Sequence, residues 1–297
     1  MASITDLADL FGSSPPPVDL ATMFTTEVVT WLNETYPSLQ KERSPGLHAS
    51  SLWKTCARQH TLLGMHKGKT TKEVLGAGNF LTFDVGHALH HWWQNNYLGP
   101  MGLIIGDWYC SRCNKNVHNG TQPKVCPKCF GDRSVVLTYA ESIVRDDKLG
   151  YVGHCDGVLV LAGRKVIFEF KTASPTEYEK LTQPKIQHIV QAHAYMNGLK
   201  VRETLVVYQN KGRQCGWTKN EEGWKAGRPE IKVFHLKFDD DYWTTYVKRC
   251  ADYGRAVDLV RNLPVVTATE VAKFERICVH KNSLLAEECP VVNECFA

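Results

Sequence analysis

Asp156, Glu169 and Lys171 combine two hard oxygen donors with one amine, at a spacing that lets all three meet. From Val166 to Lys171 the residues alternate, so a strand there sets Val166, Phe168 and Phe170 on one face and Ile167, Glu169 and Lys171 on the other. A carboxylate and an amine therefore share a face. Asp156 lies in Gly153-His154-Cys155-Asp156-Gly157, and Val158-Leu159-Val160-Leu161 runs from it toward a turn at Ala162-Gly163-Arg164. Such a hairpin returns Glu169 toward Asp156. Two carboxylates beside one ammonium make a magnesium or manganese site with a catalytic lysine next to it. An ordinary hairpin with an exposed Glu–Lys pair, worth about 0–1 kcal/mol, would use the same residues, so the surrounding chain has to decide.

A second constellation is made of thiols. Cys110-Ser-Arg-Cys113 and Cys126-Pro-Lys-Cys129 are separated by twelve residues. Two such knuckles predict a zinc ribbon, because each presents two thiolates to one face of a tetrahedral ion, whereas a redox dithiol needs only one. Lys115, Lys124, Lys128 and Arg133 make this module basic, so it could touch phosphate as well as stabilise its own fold.

The elements that must position these groups follow from periodicity. Gln191 and Tyr195 are four apart, which on a helix puts them on one face, one turn from each other. Residues 134–144 are β-rich and carry Glu141, and Thr204 to Tyr208 reads as a further strand. Met23 to Tyr36 predicts an amphipathic helix that covers the core, or docks a partner, with Phe24, Val28, Val29, Trp31 and Leu32. Ser51 is placed to cap a helix running through Leu62 and Leu63. Phe83 to Trp93 predicts a helix entered through Gly86, and Phe238 to Leu263 one with a core stripe of Trp243, Tyr246, Val247, Cys250, Tyr253 and Val257. Between Lys211 and Lys232, Arg213, Lys219, Lys225 and Arg228 interleave with Trp217 and Trp224, a pattern that suits either a single-strand channel or a polar hairpin. Ser13 to Pro17 reads as a tether.

Taken in order, Gly153-x-x-Asp156, a strand bearing Glu169-x-Lys171 and a helix bearing Gln191-x-x-x-Tyr195 resemble the PD-(D/E)XK nuclease superfamily. Within it, the chain is similar to the RecB-like branch that includes CRISPR-associated exonucleases with an iron-sulfur cluster. The resemblance runs from about Ser51 to Cys295, interrupted by the knuckles. It implies an α/β fold of the restriction-endonuclease-like type, a mixed central sheet flanked by helices, with a small zinc-ribbon insertion. The expected division is a tether and helix over 1–45, a nuclease domain over 46–297, the ribbon at 106–133 within it, and a clasp made by residue 56 with 278–295.

The activity implied is a metal-dependent DNA exonuclease of compact, phage type, hydrolysing phosphodiesters at ends or in single strands during recombination, replication or end processing. One or two Mg2+ or Mn2+ ions would be held by Asp156, Glu169, the Phe170 carbonyl and His90 of Gly86-x-x-x-His90, with His87 and His91 as alternatives. Lys171 would act on the attacking water, and Gln191 and Tyr195 would position substrate. The resemblance also brings Glu141 toward the site, though it could equally be a solvated strand residue. It further gives Cys56, Cys278, Cys289 and Cys295 as ligands of a [4Fe-4S] cluster. A second zinc ion is the rival, because ten residues separate Cys278 from Cys289 where relatives have two. DNA is the implied partner, with a helicase or recombination protein beside it, since no GxxxxGK[ST] loop is present. The alternative is a catalytically silent DNA-end-binding adaptor or a zinc-ribbon scaffold; the intact motif residues speak against it.

Composition agrees without deciding. The 297 residues with 43% hydrophobic content suit one large packed domain, and a net charge of +4 permits an anionic partner only through a local patch. Eleven cysteines in a chain without a basic, apolar leader point to metal ligation more than to disulfides. No membrane association is expected, and the expected location is the cytoplasm, that of the host if the protein is viral.

Overall fold

The computed structural model describes residues 20–39, 46–65, 76–130, 135, 137–212, 215–220, 223–287 and 289–297. The chain divides into two compact units, and among the described residues the first takes in 20–39 and 76–85. It contains helix α1 (Leu20–Glu34), the single turn α2 (Tyr36–Leu39) and the start of a longer helix. Tyr36 donates to the Asp84 carboxylate at 2.8 Å and packs edge-on against Phe80. Among the described side chains of α1, Leu32 is buried and Phe24 is 70% exposed.

The second unit holds everything else described. Strand β1 (Leu47–His48) leads through a 3-10 turn (Ala49–Lys54) to α3 (Ala57–Met65). Ser51 therefore lies inside the turn, and the α-helix starts only after Cys56. Helix α4 (Ala77–Trp92) begins well before the expected Phe83, with Gly86 in its interior, and continues as a π-helix over Trp93–Leu98. Then come β2 (Ile104–Cys110), β3 (Lys115–Gly120), β4 (Leu137–Ala140), β5 (Ser142–Asp146), β6 (Tyr151–Cys155), β7 (Gly157–Leu161) and β8 (Arg164–Ala173). Helices α5 (Pro175–Lys180) and α6 (Ile186–Leu199) follow, then β9 (Glu203–Asn210), the hairpin β10 (Cys215–Asn220) and β11 (Gly223–Pro229), and β12 (Ile231–Lys237). The long helix α7 (Asp240–Asn262) and three short ones, α8 (Ala268–Ala272), α9 (Leu284–Glu287) and α10 (Val292–Phe296), close the chain.

The main sheet runs β12-β9-β8-β7-β2-β3, with β4 also on β2, and only β8 and β9 pair in parallel. A smaller sheet runs β1-β6-β5. Strand β8 is central, so both of its faces are covered. Ile167 packs with Val206, Tyr195 and Met196 toward α6 and α7, while Phe168 and Phe170 pack with Ile104, Leu159 and Trp93 on the other side. Of the expected stripe of α7, Trp243, Tyr246 and Cys250 are buried and Val247, Tyr253 and Val257 half-buried.

The β7–β8 turn is built as the sequence requires. Leu161 pairs with Arg164 across a two-residue loop, and Ala162 and Gly163 both take positive φ, 49° and 75°. That is the geometry of a mirror-image tight turn, whose twist matches that of the strands it joins. Strand β2 spans two structures. Its first residues, Ile104 and Ile105, pair with β7, and from Gly106 onward it pairs with β3 and β4 to carry the four-cysteine module. No helix among the described residues is long and apolar enough to cross a membrane.

Candidate active site

Two one-residue breaks create the site. Residues 134–144 read as one β-rich stretch in sequence, but β4 belongs to the main sheet and β5 to the smaller one, with Glu141 at the crossing. The return path does the same: β6 lies in the small sheet, β7 in the main sheet, and Asp156 is the residue between them. Because Ser142 pairs with Cys155, the two acids stand at adjacent breaks. On the other side Gly157 pairs with Phe168, so the register continues from Asp156 to Glu169. Three carboxylates from distant positions are thus brought to one seam.

Helix α4 supplies the imidazole. His90 Nδ1 lies 3.2 Å from Asp156 Oδ1, and its ring meets Phe170 edge-on. His87 and His91 are exposed, so the three candidates are separated by orientation alone. One ligand atom each from His90, Glu141 and Asp156 come within 4.8 Å of one another. The π-turn that ends α4 holds this group from behind: Gln94 Nε2 donates to Glu141 Oε1 at 3.1 Å and to the Asp156 carbonyl at 2.9 Å. A π-turn inserts a residue into the helical count and is often found at functional sites. Neither Gln94 nor the break at Glu141 is visible in local periodicity, although the glutamate itself is a sequence candidate.

Asp156 Oδ2 accepts the Phe170 backbone N–H at 2.7 Å, which fixes the carboxylate against β8. Glu169 is completely buried, and Lys171 Nζ stands 2.6 Å from its Oε1. Beyond that ion pair neither Glu169 oxygen has a hydrogen-bond partner among the described residues. Burial, then the charge of Asp156, push the Glu169 carboxyl up to about 8 against the opposing pull of Lys171. Burial alone would lower Lys171, but Glu169 and then Asp156 override it and raise the amine above its ordinary value. Burial and Asp156 also raise Glu141, and Asp156 holds His90 above the usual imidazole range despite its burial. A buried carboxylate with open oxygens is costly unless a cation compensates it. Oxygen donors with one imidazole suit Mg2+ or Mn2+. Glu169 is not within the 4.8 Å group formed by the other three.

Gln191 and Tyr195 do share a face of α6, but they are turned toward the protein. Gln191 Nε2 donates to Tyr195 Oη at 2.9 Å, and Tyr195 Oη donates to the His154 carbonyl at 2.7 Å. Both are at least nine-tenths buried. Through Tyr195 they are tied to β6, the strand that ends just before Asp156. Gly153 is needed for this approach, since a Cβ there would stand 2.6 Å from Tyr195 Cε1 and 2.9 Å from Ala49 Cβ.

The four knuckle cysteines come together as expected. Cys110 and Cys129 have their Sγ atoms 3.8 Å apart, and Cys113 and Cys126 3.9 Å. Tetrahedral bonds of about 2.3 Å give an edge of about 3.8 Å, so the set can hold a metal ion such as zinc. Cys56, Cys278, Cys289 and Cys295 also gather: Cys56 lies within electrostatic reach of Cys278 and Cys295, and Cys289 of all three others. Among the described residues they do not form a group with ligand atoms inside 4.8 Å. The basic and tryptophan side chains of β10 and β11, with Arg213, lie outside the described side chains, as do Arg133 and the Ser13–Pro17 tether. Lys232 is tied to the end of α5, donating to the carbonyls of Tyr178 and Leu181 at 2.6 and 2.9 Å.

No protein-family model matches the chain, and no curated protein does. Among solved structures it is similar to an alkaline exonuclease from Laribacter hongkongensis in complex with dAMP, at 15% identity over 73% of this chain and 90% of that one, with a TM-score of 0.39. It is also similar to a phage-related exonuclease from Haemophilus somnus 129PT, at 10% identity over 76% of this chain and 98% of that one, with a TM-score of 0.32. The chain itself has a mixed central sheet flanked by helices and a four-cysteine insertion on one strand, the α/β architecture that the resemblance to PD-(D/E)XK nucleases implies.

Proposed function

We propose that this chain is a metal-dependent deoxyribonuclease of the PD-(D/E)XK type, hydrolysing phosphodiesters at DNA ends or in single strands during recombination, replication or end processing. The observation that carries the reading is the convergence of Glu141, Asp156, Glu169, Lys171 and His90 on one seam between two sheets. His90, Glu141 and Asp156 would hold Mg2+ or Mn2+, with Glu169 and the Phe170 carbonyl as further oxygen donors on β8. A divalent cation supplies Lewis-acid charge to the phosphoryl group and lowers the pKa of a water. Lys171, held 2.6 Å from Glu169, would orient the attacking water or take its proton. Gln191 and Tyr195 hold the strand before Asp156, so they act on the ligand geometry from behind.

The nuclease domain is taken as 46–297, with the ribbon at 106–133 inside it and a location in the cytoplasm. We assign the Cys56, Cys278, Cys289 and Cys295 set to a [4Fe-4S] cluster. In such a cluster each thiolate would bind a different iron, and the four thiols lie within electrostatic reach of one another.

The test is cleavage of 5′- and 3′-labelled single- and double-stranded DNA with Mg2+ or Mn2+. Wild type should give metal-dependent products, and Lys171→Ala should lose activity by about 10²–10³-fold or more while staying folded. A folded, metal-replete wild type that yields no products would leave a DNA-end-binding adaptor instead.

A further inference from the structure

His188 lies on the same face of α6 as Gln191 and Tyr195, at positions i, i+3 and i+7, but nothing in the motif uses it. It is half-buried beside β9, where Tyr208 pairs in register with Lys171. The backbone N–H of Lys185, at the open start of α6, donates to Tyr208 Oη at 3.1 Å. The same oxygen stands 2.5 Å from His188 Nδ1. Lys185 occupies one lone pair of this oxygen, and His188 Nδ1 is the acceptor within reach of its proton; we assign Tyr208 as donor and Nδ1 as acceptor. The remaining ring proton is then on Nε2, which has no hydrogen-bond partner among the described residues. Burial, then the positive charges of Lys171 and Lys185, push His188 down to about 2, which agrees with a neutral ring.

We propose that His188 Nε2–H is a substrate-positioning donor that holds a non-bridging phosphate oxygen of the nucleic-acid backbone beside Lys171. The inference rests on reading the site as one for a phosphodiester. Structural duty falls to Nδ1, which closes the helix start through Tyr208, and Nε2 is left over for a ligand. A neutral donor next to two lysines favours an anionic acceptor, since any cationic or donor group would meet repulsion there. Lys185 itself is engaged with the Glu177 carboxylate, so it shapes the field without occupying the place of the substrate.

The experiment measures binding apart from turnover. A fluorescein-labelled single-stranded oligonucleotide is titrated with wild type, His188→Ala and His188→Gln in Ca2+, and cleavage is followed separately in Mn2+. A hydrogen bond to a charged group corresponds to at least about a tenfold change in Kd. His188→Ala should therefore weaken binding by about tenfold and raise KM similarly with a smaller change in kcat. His188→Gln, which keeps an N–H donor, should restore binding to within about threefold of wild type. Should His188→Ala fold poorly, Tyr208→Phe carries the test: it removes the proton donor that sets the tautomer and should weaken binding while leaving the imidazole in place. Equal Kd values for all variants would overturn the inference, and so would a His188→Gln as defective as His188→Ala, which would mark a packing role. Wild-type cleavage with no change in Kd would sink the histidine and leave the nuclease standing. Absent cleavage with a tenfold loss of binding in His188→Ala would do the reverse.

Discussion

Glu169 stands in an environment far from that of a free side chain. It is fully buried, faces Asp156 and is opposed by Lys171, with a folded pKa of about 8 against 4.5 for the ordinary carboxyl. The folded, metal-free protein therefore binds a proton between those values that the unfolded chain releases. This contribution to stability is complete below about pH 4.5 and is lost as pH rises toward 8. Comparing urea unfolding of wild type and Glu169→Gln in chelator should show the variant gaining relative stability from pH 5 to 8, with a slope of at most about 1.4 kcal/mol for each step of one in pH. A difference that stays flat with pH would mean the carboxyl is not raised. A divalent cation should reverse the trend, because it replaces the proton, and so should bind more tightly as pH rises over the same range. That Glu169 and Lys171 share a face followed from alternation. That the pair is buried did not, because burial depends on what covers the strand.

Glu141 and Asp156 stand at the breaks where the chain passes between the two sheets, whereas Glu169 lies within the unbroken β8. The approach of α6 to β6 is what holds this seam. Adding a methyl at Gly153 would press on Tyr195 and Ala49, and overpacking of this kind costs about 1–3 kcal/mol. Gly153→Ala should lower the unfolding free energy, read from urea titration, by an amount in that range and, by displacing the Tyr195 bond to the His154 carbonyl, reduce cleavage as well. Cleavage at the wild-type rate in a destabilised Gly153→Ala protein would show that Asp156 does not need this tie. The β7–β8 hairpin was legible from alternation and from Ala162-Gly163, since both signals are local. The π-turn at Trp93–Leu98 and the break at Glu141 were not legible, because a one-residue shift in a helix or strand leaves the hydrophobic pattern almost unchanged.

At the scale of the whole second unit, four thiols far apart in sequence lie within electrostatic reach of one another. Cys56 follows the first turn of the second unit, and Cys278, Cys289 and Cys295 lie in the last helices and loops around α3. A metal held there would cross-link more than two hundred residues of sequence and so remove much loop entropy from the unfolded chain. Purified protein should show visible iron-sulfur absorption plus about one zinc per chain. Cys56→Ser should abolish the colour, lower the thermal midpoint and spare the ribbon zinc; a colourless wild type with two zinc ions would assign the clasp to zinc. Local spacing was sufficient to specify the chemical types: the paired knuckles, the hairpin that returns Glu169 to Asp156, and the Gln–Tyr face of α6. It could not choose among His87, His90 and His91, nor place Glu141 opposite Asp156, turn Gln191 and Tyr195 inward, or bring His188 to Lys171 through Tyr208. Those outcomes come from packing between segments far apart in the chain, where one residue of register or one rotation of a helix decides which side chain faces the seam.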